Sequence, residues 1–534
     1  MYYTDQFYAV KEKVFKEIAL KTNAPVSYRQ KVVVLITVIS LLKLLVAFVV
    51  PLGNDESYYW LYAQDIKWNY FDHPPMVAVW VRLFTLNLWL QDFAGFIRLG
   101  SIVACALSSW FMYQTVACLH SERAGWLAAC LYHASYYAGI TAGLLVIPDA
   151  PQLVFWTFSL WMIATITRDG SKWRYWILLG IAVGLCIMSK VHGVFIWSGL
   201  GLYVLLKERS WLAKPQLWTA LAISIVIASP IVWWNLHHDF ATYRFHSQRV
   251  MVLHRVMNGY SFLREMAGQF FFNNPFNVML VLSGFAAWRR RKLKFSTALS
   301  IYNCIALPLI LLLLAIALFR DTTLPHWSGP AYVTLLPLAS IRLAAMSRTR
   351  LFPRWIKTSL GAFVLVLVVL TLTILFYPGT LGSKDPKSYG KGDLTLDFYG
   401  WEEAAQQFAT QHQKAVRQGL VPANTSVVCY KWWGAHIEYF FCRPMGLTMI
   451  GMGNLNNLHE YQWLNKERKH AVNLNQAYCI VPADEYYDVE KQYAHYYREI
   501  KWINTIVTYR NGQPAHLFHV YHLKGWKGRL PTAQ

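Results

Sequence analysis

Several apolar runs in this chain are long enough to cross a lipid bilayer, and they limit what it can fold into. The clearest runs cover 32–50, 296–319 and 359–377. A helix needs about 20 mainly apolar residues to span the hydrocarbon core. Only 15% of the 534 residues are charged and 55% are hydrophobic, whereas soluble proteins are roughly a quarter charged. The chain is therefore predicted to be a polytopic α-helical membrane protein.

The placement of the basic residues predicts how the chain is threaded through the membrane. The formal net charge is +22, and Lys and Arg cluster in short gaps between apolar runs. Short loops rich in Lys and Arg stay on the cytoplasmic side, so binding to nucleic acid is not needed to explain the charge. Threading these loops inside predicts about eleven spans, with the N-terminus inside and the C-terminal tail outside. The spans are expected near 32–50, 94–118, 124–143, 151–167, 174–189, 193–206, 216–234, 268–288, 296–319, 328–346 and 358–377.

Composition divides the chain into four segments. Residues 1–30 mix Lys and Arg with apolar positions, which predicts an amphipathic cytoplasmic segment on the membrane surface; a partly ordered basic tail is the alternative. Residues 31–377 form the transmembrane domain. Residues 378–393, rich in Gly, Pro, Ser and Lys, are predicted to be a linker. Residues 394–534 carry one helical pattern, WEEAAQQFATQHQKAVRQGL, and strand patterns such as AYCIVPA and HLFHVYHL, which predict a soluble extracytoplasmic α/β domain.

The loop that follows the first span, NDESYYWLYAQDIKWNYFDHPP, places acids and a histidine at the outer edge of the membrane. Asp55 and Glu56 follow the span directly, and Asp72 and His73 precede a Pro-Pro pair. A carboxylate at this edge loses hydration, so it is expected to bind metal, accept a proton or pair with a cation. A solvated interfacial loop is the alternative.

Asp149 is the only Asp, Glu, Lys or Arg between Arg123 and Arg168, and prolines flank it in VIPDAP. The predicted topology brings it to the same membrane face as the first loop. It can also cap the helix that follows, a role for which aspartate is well suited. We therefore take as catalytic candidates Asp55, Asp149 and Glu56, and as candidates for a substrate or metal site Asp72, His73, Tyr59, His237 and His238.

Basic residues are predicted on the same face and are suited to an anionic phosphate. Lys190 and His192 lie at the outer turn of an apolar hairpin, and Arg98 begins the second span. The outer loop 233–249 adds His237, His238 and Arg244 with further His and Arg residues. Snorkelling to the interface is the alternative for the lysine, and solvated loop positions are the alternative for the others. The candidates for phosphate binding are Lys190, Arg98, His192 and Arg244.

Six segments together resemble a known superfamily: the first loop, GFIRLGS around Arg98, LLVIPDAP, MSKVHG, the outer loop that begins with Trp-Asn, and LPHWSGPAY. They resemble the bacterial branch of the dolichyl-phosphate-mannose protein mannosyltransferase-like superfamily, which includes lipid A aminoarabinose and galacturonic acid transferases. The resemblance extends from about residue 30 to 345. It implies the C-type glycosyltransferase (GT-C) fold, with Asp55 as the general base and Asp149 at a second acidic position.

The outward-facing site determines the expected chemistry. Nucleotide sugars are made in the cytoplasm, so the donor is expected to be a sugar on a polyprenyl (undecaprenyl) phosphate within the membrane. The acceptor would be lipid A, another glycan or a protein, and direct displacement would invert the anomeric centre. We expect the bacterial inner membrane as location, with the site and C-terminal domain in the periplasm. A divalent cation (Mg, Mn or Zn) held by Asp72, His73 and His238 is left open.

Two other functional classes fit the same composition. A transporter or lipid flippase would use the charged rim to admit an anionic substrate, and would need ionisable residues deep within spans. A non-catalytic membrane module would use its outer domain to bind glycan or a partner. Transfer of labelled sugar from a polyprenyl-phosphate donor separates these classes from a glycosyltransferase.

Overall fold

A computed structural model describes residues 27–170, 172–252, 255–347, 349–468 and 472–528. The predicted N-terminal segment 1–30 therefore lies almost entirely outside the described residues. The first helix, α1, begins at Tyr28, where Ser27 and Gln30 cap each other's backbone N–H groups. The helices up to the first bend are α1 Tyr28–Val49, α2 Asn54–Gln64, α3 Met76–Phe84, α4 Ala94–Leu119, α5 Glu122–Ala134, α6 Asp149–Asp169, α7 Trp173–Ser189, α8 Val194–Lys207, α9 Pro215–His237 and α10 Ala241–Val250.

The membrane domain continues to Phe376. Its later helices are α11 Gly259–Phe272, α12 Pro275–Arg289, α13 Thr297–Ala317, α14 Gly329–Met346 and α15 Arg354–Phe376. In the described part of the chain, 7 helices are long and apolar enough to cross a membrane, or up to 8 if a bent pair counts as one span. The polytopic helical architecture is confirmed. The count of about eleven spans stays a prediction, because α7 and α8 are shorter apolar helices and the segment after α5 is broken.

The span expected near 268–288 is not one straight helix. Helices α11 and α12 meet there at an angle of 97°. Asn274 has a positive φ of 61° and precedes Pro275, which lacks an N–H and disfavours the helical conformation in the residue before it. The Asn274 side chain fixes the bend, since its Nδ2 donates to Ala134 O (2.8 Å) and to Ser359 O (3.1 Å). Apolar composition predicts the burial of this segment but not its direction.

The C-terminal region is a mixed α/β domain, as predicted. Its long helix α16 is Trp401–Arg417, and its strands are β1 Thr425–Cys429, β2 Met449–Gly451, β3 Asn473–Pro482, β4 Tyr497–Arg510 and β5 Gln513–Trp526. The sheet order is β2-β1-β3-β5-β4. Strands β2, β1 and β3 are parallel, and β5 pairs antiparallel with β3 and β4. Short helices between the strands are Gly434–Ile437, Arg443–Met445, Leu455–Leu458, Tyr461–Arg468 and Val489–Tyr493.

The C-terminal domain packs directly on the first loop of the membrane domain. One hydrophobic cluster contains Leu52 and Tyr58 from the loop together with Trp401 and Phe408 from α16. Polar contacts join the same two parts: His436 Nε2 donates to Leu52 O (3.0 Å), and Lys67 pairs with the buried Glu460 (3.0 Å). The loop that carries the predicted acids therefore lies between the membrane helices and the sheet domain.

Residues 378–393, predicted to be a linker, fold into a compact loop. Asp393 organises it, because its Oδ2 accepts from Thr380 Oγ1 (2.9 Å) and from the Leu381 N–H (2.8 Å). Arg510 of β4 donates to Gly379 O (3.0 Å) and to Ile374 O (3.0 Å), which fastens the sheet to the end of α15. These contacts limit the freedom of the C-terminal domain relative to the last membrane helix.

Candidate active site

Asp55 lies where two cavities meet. It is the second residue of α2, which begins after Gly53, and it lines both cavities. One cavity has a volume of about 520 Å³ and lies among the ends of the membrane helices that face the C-terminal domain. The other has a volume of about 1100 Å³ and lies between the membrane domain and the C-terminal domain. We call them the membrane cavity and the interdomain cavity.

The membrane cavity combines an apolar wall with a polar end. Its apolar wall includes a stripe on α13, formed by Leu309, Leu312, Leu313 and Ile316. Its polar end gathers most of the residues singled out from the sequence, namely Asp55, Tyr59, Asp72, His73, Asp149, Lys190 and His192. The structure thus brings the three predicted acids to one cavity, although they come from separate segments.

Both oxygens of Asp149 are engaged by hydrogen-bond donors. Tyr137 OH donates to Asp149 Oδ1 (2.8 Å), and Lys190 Nζ donates to Asp149 Oδ2 (2.7 Å). Both members of the ion pair are buried. Asp149 thereby fixes the Lys190 ammonium at the polar end of the membrane cavity, and a carboxylate held in this way is a poor proton acceptor.

Glu56 and Arg98 form a second buried ion pair, away from the membrane cavity. Arg98 Nε donates to Glu56 Oε1 (2.8 Å), and its Nη2 donates to Pro51 O (2.8 Å). Glu56 also accepts from the N–H groups of Gly53 (2.9 Å) and Val146 (3.0 Å). The pair joins the end of α1, the start of α2 and the segment before α6. Neither side chain is free to contact a substrate while these bonds persist.

The Asp55 carboxylate differs from the other two acids because it has no hydrogen-bond or salt-bridge partner among the described residues. Its side chain is exposed to the cavities, while protein atoms surround it on all other sides. This enclosure raises the pKa of Asp55 to about 6, helped by the charges of Glu56 and Asp149 and opposed by Lys190. At neutral pH Asp55 is therefore ionised and more basic than an ordinary aspartate.

Asp72 accepts hydrogen bonds from two phenols of the first loop, Tyr58 and Tyr62, and lies near a neutral histidine of the C-terminal domain. Tyr62 OH donates to Asp72 Oδ1, and His459 Nδ1 lies 3.8 Å from Asp72 Oδ2. Burial raises the pKa of Asp72 to about 6. Burial also lowers the pKa of His73, which stays neutral at neutral pH. These groups form a buried polar wall of the membrane cavity, beside the Tyr59 ring.

Four predicted residues lie outside both cavities: Arg98, Arg244, His237 and His238. Arg244 and His237 are exposed on the outer loop, and His238 stacks on Trp234 with ring centroids 3.9 Å apart. The proposed metal set of Asp72, His73 and His238 is therefore not assembled. Among the described residues, no group of three or more His, Cys, Asp or Glu is placed to hold a metal ion. The described residues at this site therefore do not fit a divalent cation.

Three basic residues that are not among the site candidates also line the membrane cavity: His246 and Arg249 of the 233–249 loop, and His326. His246 Nε2 donates to Asp72 O (2.7 Å). The Arg249 guanidinium lies over the Trp327 ring (5.1 Å) and forms no salt bridge within the described part of the chain. The outer loop carried a signal for the first two in its dense His and Arg content. The geometry of α10 decides that His246 and Arg249 face inward and Arg244 outward.

Sequence comparison supports the resemblance inferred from the motifs. The family model for dolichyl-phosphate-mannose-protein mannosyltransferase matches residues 72–234. Lipid A galacturonosyltransferase RgtD of Rhizobium johnstonii is 28% identical over 197 residues, which cover 37% of this chain and 41% of that enzyme. Undecaprenyl phosphate-alpha-4-amino-4-deoxy-L-arabinose arabinosyl transferase 2 of Pseudomonas fluorescens is 24% identical over 221 residues, 35% of this chain and 38% of that enzyme. The matches thus span about two fifths of these relatives.

The structural comparison extends over nearly the whole chain. ArnT from Cupriavidus metallidurans in the apo state superposes with a TM-score of 0.60 at 13% identity, covering 92% of this chain and 97% of that one. The chain has the C-type glycosyltransferase fold. The same protein bound to undecaprenyl phosphate gives a TM-score of 0.55 at 14% identity with the same coverage. The chain is a multi-pass membrane protein, and the resemblance predicted from its first loop and its later motifs is confirmed.

Proposed function

We propose that this protein is an integral-membrane glycosyltransferase. It moves a sugar from a polyprenyl-phosphate donor to an acceptor on the periplasmic side of the bacterial inner membrane. The observation that carries the proposal is the position of Asp55. Its carboxylate has no partner among the described residues, and it lies at the junction of the membrane cavity, which has an apolar wall, and the interdomain cavity, which is lined by lysines. The known relatives are lipid A or undecaprenyl-phosphate sugar transferases by name, which supports this choice of substrates.

The membrane cavity suits the donor. The stripe on α13 recurs every three to four residues, as one face of a helix does, and offers an isoprenoid tail an apolar surface. The phosphate would lie at the polar end, near Lys190 and Arg249. Lys190 already shares its charge with Asp149, whereas Arg249 has no carboxylate partner among the described residues. Arg249 is therefore the cation with the most capacity left for a phosphate.

The interdomain cavity suits a polar acceptor. Its lining includes the lysines Lys387, Lys391 and Lys431 and the aromatic residues Tyr430, Trp432 and Tyr486. Aromatic faces pack against sugar rings, and ammonium groups bind phosphate or carboxylate. Most of these residues belong to the C-terminal domain, which would hold the acceptor hydroxyl toward Asp55.

Chemistry would follow as one displacement at the junction. The acceptor hydroxyl oxygen bonds to the anomeric carbon, and the Asp55 carboxylate takes the proton of that hydroxyl at the same time. The bond from that carbon to the phosphate oxygen breaks, and polyprenyl phosphate leaves with the electron pair. Lys190 and Arg249 stabilise the charge on the leaving phosphate. Attack from the interdomain side, opposite the membrane cavity, inverts the anomeric centre.

The proposal is tested by sugar transfer with the purified full-length protein in lipid nanodiscs. The donors are undecaprenyl phosphates with labelled 4-amino-4-deoxyarabinose or galacturonic acid, and the acceptor is lipid A. Asp55→Asn should lower kcat by about 10²-fold or more, the typical contribution of a general base. Asp65→Asn is the matched control, because Asp65 ends the same helix and lines neither cavity.

Three outcomes would contradict the proposal. Full transfer by the Asp55→Asn variant would remove Asp55 from the chemistry. Movement of labelled donor between leaflets without product would identify a transporter. Binding of the acceptor without transfer from either donor would identify a non-catalytic module.

A further inference from the structure

Asp397 of the C-terminal domain reaches the start of the helix that carries Asp55. It lies in the 3₁₀ helix Leu394–Phe398, and its Oδ1 accepts from the Asn54 N–H (3.1 Å). Asn54 is the first residue of α2 and directly precedes Asp55. The fit is close: a Cβ on Gly53 would lie 2.9 Å from Asp397 Oδ2 and 2.6 Å from Phe398 Cε1. A residue 343 positions away in sequence therefore caps the helix of the reaction centre.

Asp397 and Asp55 line the same interdomain cavity. Asp397 forms no salt bridge among the described residues, and its one hydrogen bond there is to the backbone of Asn54. The charged groups that act on the two carboxyls are mainly acidic. The charges of Asp55, Glu56 and Asp484 act on Asp397. The charges of Glu56, Lys190 and Asp149 act on Asp55. The cavity wall also carries Lys387, Lys391 and Lys431.

We infer that Asp397 is a second carboxyl of the reaction centre, and that it shares with Asp55 the proton taken from the acceptor. This inference rests on the proposed function. The transferred proton comes from the acceptor hydroxyl, enters the carboxyl pair, and leaves to solvent through the interdomain cavity once product has formed. Asp397 acts as a positioning residue through its hydrogen bond to Asn54, and as an electrostatic partner through its charge.

The physical basis is burial of the Asp397 carboxyl, together with the repulsion that the Asp55 charge exerts on it. Burial and the charge of Asp55 raise the pKa of Asp397 to about 7, above the value of about 6 for Asp55. When two carboxyls interact, their titration steps belong to the pair. The doubly ionised pair thus binds its first proton with a pKa near 7, a better match to neutral pH than Asp55 alone.

The experiment measures kcat/KM for sugar transfer against pH in the full chain. In the wild type, activity should fall on acidification in two steps, near pH 7 and near pH 6. Asp397→Asn keeps a carbonyl oxygen for the Asn54 N–H but removes the charge. The pH profile of this variant should lose the step near pH 7 and keep the step near pH 6. Its kcat/KM at high pH should be roughly threefold lower than in the wild type, because a weaker base accepts the proton less well.

Asp385→Asn is the matched control. Asp385 also caps a short 3₁₀ turn, Pro386–Ser388, but it is exposed and lines neither cavity. Its variant should keep both steps. An unchanged two-step profile in Asp397→Asn would overturn the inference. Absence of transfer in the wild type would instead overturn the proposed function, so the two failures are distinguishable.

Labelling of the wild-type protein with a water-soluble carbodiimide gives a readout that needs no variant. The reagent modifies protonated carboxyls, and mass spectrometry locates the label. Modification of Asp397 should decline with a midpoint near pH 7, whereas an ordinary aspartate would lose reactivity near its pKa of about 3.9. A labelling midpoint for Asp397 near the ordinary aspartate value would refute the proposed interaction with Asp55, even if the Asp397→Asn variant failed to fold.

Discussion

Replacing Arg98 by methionine tests whether this residue holds the first loop in place or binds the donor phosphate. Arg98 and Glu56 are 1% and 2% exposed, so the pair is fully shielded from water. The guanidinium makes two bonds to Glu56 and further bonds to the carbonyl oxygens of Val50 and Pro51. Methionine keeps the apolar stem but leaves Glu56 as a buried, uncompensated charge.

The expected loss follows from that geometry. Removing one partner of a buried ion pair costs about 3–5 kcal/mol. Membrane proteins of this size often unfold irreversibly, so the suitable measurement is the half-life at a fixed elevated temperature in detergent. If half of about 3 kcal/mol appears in the unfolding barrier, the half-life falls roughly tenfold. At low temperature, where the variant is folded, KM for the donor should stay near the wild-type value.

The double variant Arg98→Met, Glu56→Gln is the control for this interpretation. The glutamine carbonyl can still accept from the Gly53 or Val146 N–H groups, and no unpaired charge remains. The double variant should therefore have a longer half-life at the elevated temperature than the single Arg98→Met variant. The reasoning fails if Arg98→Met has the wild-type half-life while its donor KM rises, because Arg98 would then contact the phosphate.

Two further predictions concern the membrane cavity, each with a matched control. Arg249→Met should lower kcat/KM for the donor by roughly 10-fold to 100-fold, the scale of one hydrogen bond to a charged group, whereas Arg244→Met on the exposed side of the same helix should leave it unchanged. Equal effects of the two variants in kinetic assays would contradict the inward placement of Arg249. Leu312→Trp should raise the donor KM about tenfold, because the larger side chain fills space beside the apolar wall of the membrane cavity, whereas Leu311→Trp, at an exposed neighbouring position outside the cavity, should leave KM unchanged. Unchanged kinetics in both variants would argue against a donor tail that lies along α13.

The sequence by itself determined the class of protein and most of the local structure. Runs of about 20 apolar residues have one stable solution in a bilayer, because a helix satisfies its own backbone hydrogen bonds. The strand patterns TSVVCYKWW, AYCIVPA and HLFHVYHL likewise predicted β1, β3 and β5 of the C-terminal sheet. The acids at positions 55, 72 and 149 stood out because a carboxylate at the membrane edge loses hydration and needs a compensating role.

Only the tertiary structure decided which of these charges are already engaged. Asp149 meets Lys190 and Glu56 meets Arg98 across intervals of 41 and 42 residues, and Asp55 is left without a partner among the described residues. The 97° bend at Asn274, the inward turn of Arg249 and the reach of Asp397 across the domain interface are likewise invisible in the sequence. Local patterns specify helices, strands and turns, but the environment of a charge depends on residues that packing brings close from elsewhere in the chain.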